Sequence, residues 1–200
     1  MDCRFCNTHI KHIFASLGHS PLSNSYIAKD DLNRMEPFYP LEVYVCEKCF
    51  LVQLEQFESP HNIFSDYAYF SSYSDTWLKH VREYANKIID RFGIHSQSFV
   101  VEVASNDGCL LQCFIENGIP VLGIEPAANV AEVARQKGIP TETMFFGKEK
   151  AARLAREGKC ADLLLGNNVL AHVPNLNDFV AGLKILLKVK GVITMEFPYL

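Results

Sequence analysis

The stretch from Phe99 to Pro126 constrains the fold more than any other part of the chain. Phe99-Val100-Val101-Glu102-Val103 is a short apolar run that breaks at the small, polar Ala104-Ser105-Asn106-Asp107-Gly108. A helix-patterned segment follows, and a second apolar run, Val121-Leu122-Gly123-Ile124, stops at Glu125-Pro126. Short apolar runs bounded by breakers on either side of a helical period read as strand, loop, helix and strand. Small residues at Ala104, Ser105 and Gly108 let a ligand approach the backbone, and the amides opening the next helix supply donors. Glu125, at the carboxyl end of the second strand, stands where a carboxylate can accept both hydroxyls of a ribose.

Two nucleoside cofactors ask for such an edge. The dinucleotide fingerprint needs Gly-x-Gly-x-x-Gly so that a pyrophosphate can touch the turn, whereas this loop has one glycine and an acid, Glu102, at its start. A carboxylate there repels a pyrophosphate and suits the cationic methionyl end of S-adenosylmethionine (SAM). The pattern predicts SAM rather than NAD. An ordinary α/β turn with solvated acids is the plain alternative for this motif taken alone.

Alternation continues downstream. Strands are predicted near 99–103, 120–124, 141–146, 161–165 and 191–196, and helices near 108–117, 127–137, 148–157 and 176–189. That order specifies an α/β fold with a parallel, doubly wound, Rossmann-like sheet. Ligands of such sheets sit beyond the strand carboxyl ends, where the strand order reverses. Gly166-Asn167-Asn168-Val169-Leu170-Ala171-His172-Val173-Pro174 falls there, so Asn168 and His172 join the candidate site. His172 either faces ligand or caps and packs.

Upstream, Ser74 or Asp75 can cap a helix over 75–92 whose apolar face is Trp77, Leu78, Val81, Ala85, Ile88, Ile89 and Phe92, with Gly93 ending it. His80 lies off that face. Residues 59–74 hold tyrosines and serines without helical or alternating period and read as an aromatic loop, lining a pocket or plugging a junction.

The chain has seven cysteines among 200 residues. Met1-Asp2-Cys3-Arg4 does not read as a signal peptide, so metal or burial is expected rather than a disulfide framework. Cys3-x-x-Cys6 and Cys46-x-x-Cys49 are two metal-type knuckles that together make a Cys₄ set for a structural zinc ion. Cys109, Cys113 and Cys160 read as buried or half-buried thiols, and His9 and His12 as surface residues. The segment 1–58 is rich in turns, as at Gly18-His19-Ser20-Pro21-Leu22-Ser23-Asn24, with a strand over Leu41-Glu42-Val43-Tyr44-Val45, and can fold only if metal supplies what its core lacks. The division expected is 1–58 for the zinc domain, 59–98 for the aromatic linker and helix, and 99–200 for the SAM-binding domain.

With a net charge of −4 and no long basic run, a nucleic-acid groove has no electrostatic support. No apolar run approaches a membrane span, and a cytoplasmic location is expected.

Several motifs together resemble the SAM-dependent sugar C-methyltransferases, which carry a zinc-binding domain before a class I SAM-methyltransferase domain. They are Cys3-x-x-Cys6, Gly18-x-x-Pro21-Leu22-x-Asn24, Tyr39-Pro40-Leu41, and Cys46-x-x-Cys49-x-Leu51-Val52-Gln53-Leu54. Tyr67-x-Tyr69-x-Ser71-Ser72-x-Ser74, Glu102 to Gly108, Gly123-Ile124-Glu125-Pro126-Ala127-x-Asn129-Val130-Ala131 and Asn168 to Pro174 extend the likeness over nearly the whole chain. The family methylates a carbon of nucleotide-linked keto-deoxysugars. The resemblance implies a nucleotide-sugar substrate, with Glu102, Ala104, Ser105, Asn106, Gly108, Glu125, Pro126, Asn129 and Asn168 around SAM. It also implies a substrate-pocket tyrosine, either Tyr67 or Tyr69, and these two with His172 are the candidate catalytic side chains.

In that family a Tyr/His/Glu-rich catalytic motif and two further strands follow the fifth strand, whereas this sequence ends at Glu196-Phe197-Pro198-Tyr199-Leu200. The resemblance thus implies a truncated product, a fragment, or half of a split enzyme whose general base comes from a second chain. The alternative is a zinc- and SAM-holding module without chemistry of its own.

Overall fold

A computed structural model describes residues 1–197. Pro198, Tyr199 and Leu200, where the expected catalytic motif would open, lie outside the described residues. The chain divides into two compact units, Met1–Ala68 and Tyr69–Leu200.

The first unit is a three-stranded antiparallel sheet in the order β1-β2-β3, made of β1 (His12–Ser20), β2 (Tyr39–Val45) and β3 (Val52–Leu54), followed in the chain by a short helix α1 (Pro60–Phe64). Its buried apolar core is Cys3, Ile10 and Cys46, flanked by Met1, Cys6, Tyr44, Cys49 and Leu51. The turn expected at Gly18 is instead an irregularity within β1, where Gly18 takes φ 80° and the pairing with β2 shifts register between Ser16 and His19. The aromatic loop is also more ordered than its sequence suggests. Ser59 Oγ accepts the His61 N–H at 3.2 Å and Pro60 opens α1, a cap with proline at the first helical position.

The second unit opens with α2 (Asp75–Phe92), which starts where Ser74 Oγ accepts the Trp77 N–H and ends at Gly93 in the left-handed region, as its sequence predicts. Then come β4 (Val100–Val103), α3 (Cys109–Glu116), β5 (Val121–Ile124), α4 (Ala128–Gln136), β6 (Thr141–Glu142), α5 (Lys148–Arg156), β7 (Ala161–Asn167), α6 (Leu176–Leu186) and β8 (Leu187–Glu196). The five strands form one parallel sheet in the order β6-β5-β4-β7-β8. The order reverses beside β4, so the loops after β4 and β7 flank the crevice where such sheets bind ligand.

Alternation along the strands sends side chains to two cores. Val100, Leu163 and Leu165 meet Val81, Ala85 and Ile88 of α2 and Leu111 and Phe114 of α3. Val101, Val103 and Leu164 meet Ala151 and Leu154 of α5 and Phe179, Leu183 and Leu186 of α6. Among the described residues no helix is long and apolar enough to cross a membrane.

Two elements differ from expectation. The strand predicted over 141–146 is only two residues long, because β6 is an edge strand paired with the last two residues of β5, and Met144 and Phe146 then turn into the core beneath α5 and α6. The last helix stops at Leu186 rather than near 189. Lys188 is drawn to Asp162, 2.7 Å away, and the chain bulges before β8 re-registers with Val192 against Leu163.

Gly108 is required by the fold itself. It sits at φ 77° as the N-cap of α3, and a Cβ there would collide with Ile139 Cδ1. Combining the left-handed penalty with overpacking, Gly108→Ala is expected to lower stability by about 2 kcal/mol in urea denaturation.

Candidate functional site

The two cysteine knuckles of the first unit are copies of one turn. The Asn7 N–H bonds the Cys3 carbonyl at 2.9 Å, and the Phe50 N–H bonds the Cys46 carbonyl at 2.9 Å. Asn7 and Phe50, each four residues past the first cysteine of its knuckle, lie in the left-handed region at φ 57° and 61°. For an exposed phenylalanine that backbone costs about 1 kcal/mol, so the turn needs outside support.

The four sulfur atoms lie within 4.8 Å of one another, with Cys3–Cys49 at 3.5 Å and Cys6–Cys46 at 3.6 Å. A tetrahedral zinc ion with Zn–S bonds of about 2.3 Å needs sulfurs about 3.8 Å apart, so the set fits. Burial works to raise the Cys3 thiol, but N–H donors from Cys6, Gln53 and Phe5 outweigh it and bring the group down to about 6. Although the Leu51 N–H favours the Cys49 thiolate, burial and its three sulfur neighbours push that thiol up to about 12. Four thiolates cannot share this space without a cation. His9 pairs with Asp2 and His12 with Glu47, both on the surface as expected.

In the second unit the loop after β4 alternates through the left-handed region, with Ala104 at φ 58°, Asn106 at 50° and Gly108 at 77°. Three contacts hold it there. Glu125 Oε2 accepts the Asn106 N–H at 2.9 Å, while its Oε1 accepts the Ala127 N–H at 2.9 Å and so also fixes the start of α4. Asp107 Oδ2 receives Lys137 Nζ at 2.9 Å from the end of α4. Ser105 Oγ sits over Gly123 of β5, where a Cβ would collide with it.

Glu102, Asp107 and Glu125 are all buried, Glu102 being 4% exposed and Asp107 0%. Glu102 Oε2, Asp107 Oδ1 and Ser105 Oγ have no hydrogen-bond partner although each atom is buried. Burial raises Glu102 well above the usual carboxylate range, and the nearby Glu125 and Asp107 charges add to it. Glu125 is raised as well, burial outweighing its two N–H donors. Three buried acids with one lysine among them form a site short of positive charge, which is the fit a cationic ligand requires.

Not every expected residue points its side chain toward that edge. Asn106 accepts the Ser71 N–H at 2.8 Å through Oδ1 and donates from Nδ2 to the Tyr69 carbonyl at 3.1 Å, so its amide is turned to the aromatic segment. Asn168 lies exposed past β7 in the left-handed region, its N–H bonded to the Glu196 carbonyl at 2.7 Å. His172 is on a short 3₁₀ turn just beyond, and desolvation holds its imidazole below the ordinary histidine value. Pro126 and the exposed Asn129 flank the start of α4. Tyr67 falls in the first unit, where its hydroxyl accepts from Asn24 Nδ2 at 3.4 Å, whereas Tyr69 begins the second.

Sequence reasoning passed over Asp107, Lys137 and the Ser71–Ser72 backbone. Lys137 Nζ reaches Ser72 Oγ at 3.3 Å as well as Asp107, and the Ser72 N–H reaches Asp107 Oδ2 at 3.3 Å. A lysine just before Gly138 reads as an ordinary helix-end cation, and nothing local marks it as the partner of a loop residue thirty positions upstream.

Residues 3–64 match the family described as "Putative zinc binding domain", and residues 101–195 match the family described as "Methyltransferase domain". The C-methyltransferase NovU of Streptomyces niveus is 31% identical over 199 residues, which cover 100% of this chain and 47% of NovU. The chain therefore spans about half the length of that relative. Among solved structures, the PH0226 protein of Pyrococcus horikoshii OT3 is similar with a TM-score of 0.53 at 16% identity, over 70% of this chain and 66% of its own. A "putative s-adenosyl-l-methionine-dependent methyltransferase" of Methanococcus maripaludis gives a TM-score of 0.50 at 15% identity, over 62% of this chain and 59% of its own. These two likenesses are of fold.

Cys46→Ser is expected to abolish stoichiometric zinc in metal analysis and to make the first unit the preferred site of limited proteolysis, while full zinc and unchanged protection would refute the four-cysteine set. Lys137→Ala leaves Asp107 buried without its cation and is expected to cost about 3 kcal/mol in denaturant unfolding.

Proposed function

We propose that this chain belongs to the class I SAM-dependent methyltransferases bearing an N-terminal zinc-binding domain and holds the methyl-donor site of an enzyme that methylates a carbon of a nucleotide-linked keto-deoxysugar. One observation carries the cofactor part of the reading. Glu102 Oε2 is buried and partnerless beside two further acids at the sheet's switch point, and a ligand with a cationic end satisfies it. A pyrophosphate in the same place would meet three carboxylates.

Bound SAM supplies an electrophilic methyl group on a sulfonium. In this reading Glu102 faces the cationic methionyl end, Ala104, Ser105 and Gly108 give the backbone close approach, and Pro126 and Asn129 flank the nucleoside. Glu125 takes the ribose. Both its oxygens already accept one backbone N–H, which fixes the carboxylate plane and leaves a lone pair on each for a hydroxyl. Asn168 and His172, on the loop after β7, border the acceptor side.

The carbon acceptor is supported by the 31% identity to NovU, and the sugar by the motifs shared with the sugar C-methyltransferases. A carbon beside a ketone becomes nucleophilic once its proton is removed, and the enolate can then take the methyl group in line. Tyr67 or Tyr69 lines the sugar pocket in this reading. Because the chain spans about half of NovU, the complete reaction is proposed for the protein as a whole, and cofactor binding is the share these residues carry. The zinc ion, closed in by four thiolates, is structural, and a cytoplasmic location keeps those thiols reduced. The working division is 1–58, 59–98 and 99–200.

Calorimetry on the zinc-loaded chain tests the reading. SAM is expected to bind with a Kd of roughly micromolar order and NAD not at all, and absence of SAM binding would overturn it. Glu125→Ala is expected to weaken SAM binding about tenfold or more, the loss of hydrogen bonds to a charged acceptor, and unchanged affinity would remove Glu125 from the ribose role.

A further inference from the structure

Among the described residues, Glu102 is the one member of the buried acid cluster with neither a cation nor an N–H donor in place. On β4 it pairs in register with Gly123 of β5 on one side and Leu165 of β7 on the other, and Leu165 in turn pairs with Thr194 of β8. It therefore lies on the sheet face covered by α2 and α3. The groups that act on it or share its field are acids or neutral at neutral pH. They are Asp107 of the loop, Glu125 past β5, Cys109 and Cys113 of α3, Tyr84 of α2 and Glu196 at the end of β8.

Of the cations, Arg82 of α2 acts on Cys113 and is paired with Glu116 at the surface, while Lys137 has its ammonium 2.9 Å from Asp107 Oδ2. Glu125 has two backbone N–H donors. Asp107 thus has a lysine and Glu125 has amides, while Glu102 Oε2 has neither and is sealed from water. Whichever proton the cluster keeps will reside there.

We propose that Glu102 holds a proton while the site is free of ligand and releases it to solvent as the cationic methionyl end of SAM arrives, so that cofactor binding and proton release are one coupled event. The proposal rests on the SAM reading above. The exchange balances: a neutral carboxylic acid and the SAM cation become a carboxylate paired with that cation, and one proton leaves to buffer. Burial and the neighbouring acids, which raise Glu102 in the free site, act in the same direction.

Linkage sets the sign. SAM prefers the ionised acid, so protons compete with it. Its Kd falls as pH rises, by up to about tenfold per pH unit, between the pKa of Glu102 in the complex and that in the free site, and is flat above the latter. Product release would take the proton back.

The test is titration of SAM into the full, zinc-loaded chain near pH 7 in phosphate and in Tris, whose ionisation enthalpies differ. The difference in observed heat gives the protons released, expected to be roughly one per SAM. Glu102→Gln removes the carboxylate that faces the methionyl end, so it should bind SAM more weakly, and at raised concentration the heats should no longer depend on buffer. SAM binding with buffer-independent heat in the unaltered chain, or release undiminished in Glu102→Gln, overturns the coupling and leaves the cofactor reading standing. Failure of the unaltered chain to bind SAM overturns the cofactor reading instead. Should Glu102→Gln fail to fold by circular dichroism, the unaltered chain decides alone: a Kd that falls with rising pH supports the coupling, and a Kd constant from about pH 5.5 to 8.5 refutes it.

Discussion

Three carboxylates buried at one edge of a parallel sheet, with a single lysine among them, set the terms for the rest of the second unit. Unpaired burial of charge is among the least favourable things a fold can contain, so each acid must be answered by geometry. Asp107 is answered by Lys137 from the far end of α4, Glu125 by the amides of Asn106 and Ala127. Those answers are also what force the loop into its conformation. Ala104 and Asn106 sit in the left-handed region because the Asn106 amide must meet Glu125 while Asp107 points inward to the lysine.

The first unit depends on a different constraint, and it is severe in its own way. An apolar interior of Cys3, Ile10 and Cys46 is too small to hold two turns that each carry a left-handed residue. The cysteines are most of the core, and what joins them is the metal their sulfur spacing fits. Folding and metal binding are then the same equilibrium, which accounts for an antiparallel sheet whose strands are otherwise mostly exposed or half-buried.

Much of this was legible wherever local chemistry and long-range packing agree. Ser74 capping, Gly93 termination and a two-core pattern of alternating apolar residues place α2 and the central strands, because the same residues satisfy propensity and burial together. Legibility failed where a partner distant in sequence decides. Glycine signals a turn, yet at Gly18 the neighbouring strand β2 turns that freedom into an irregularity within a strand. Leu187 to Lys190 has helical composition, yet Asp162 takes Lys188 and β7 pairs with Leu187. Asn106 looks like a ligand residue from its loop, yet its amide is spent on Tyr69 and Ser71. None of these choices is encoded within a window of neighbouring residues.

That last displacement changes how the aromatic stretch relates to the cofactor edge. Asn106 and Asp107 each bond the backbone of Tyr69 to Ser72, and Lys137 bonds Asp107 and Ser72 Oγ together. The loop after β4 and the segment that carries Tyr69 are therefore one hydrogen-bonded body, fastened through the side chains of Asn106 and Asp107. A change of charge at the acid cluster acts on Asp107 directly, and Asp107 cannot shift without moving Ser72. The Tyr69 carbonyl is in this way held by the loop that the buried acids shape, while its ring is half exposed.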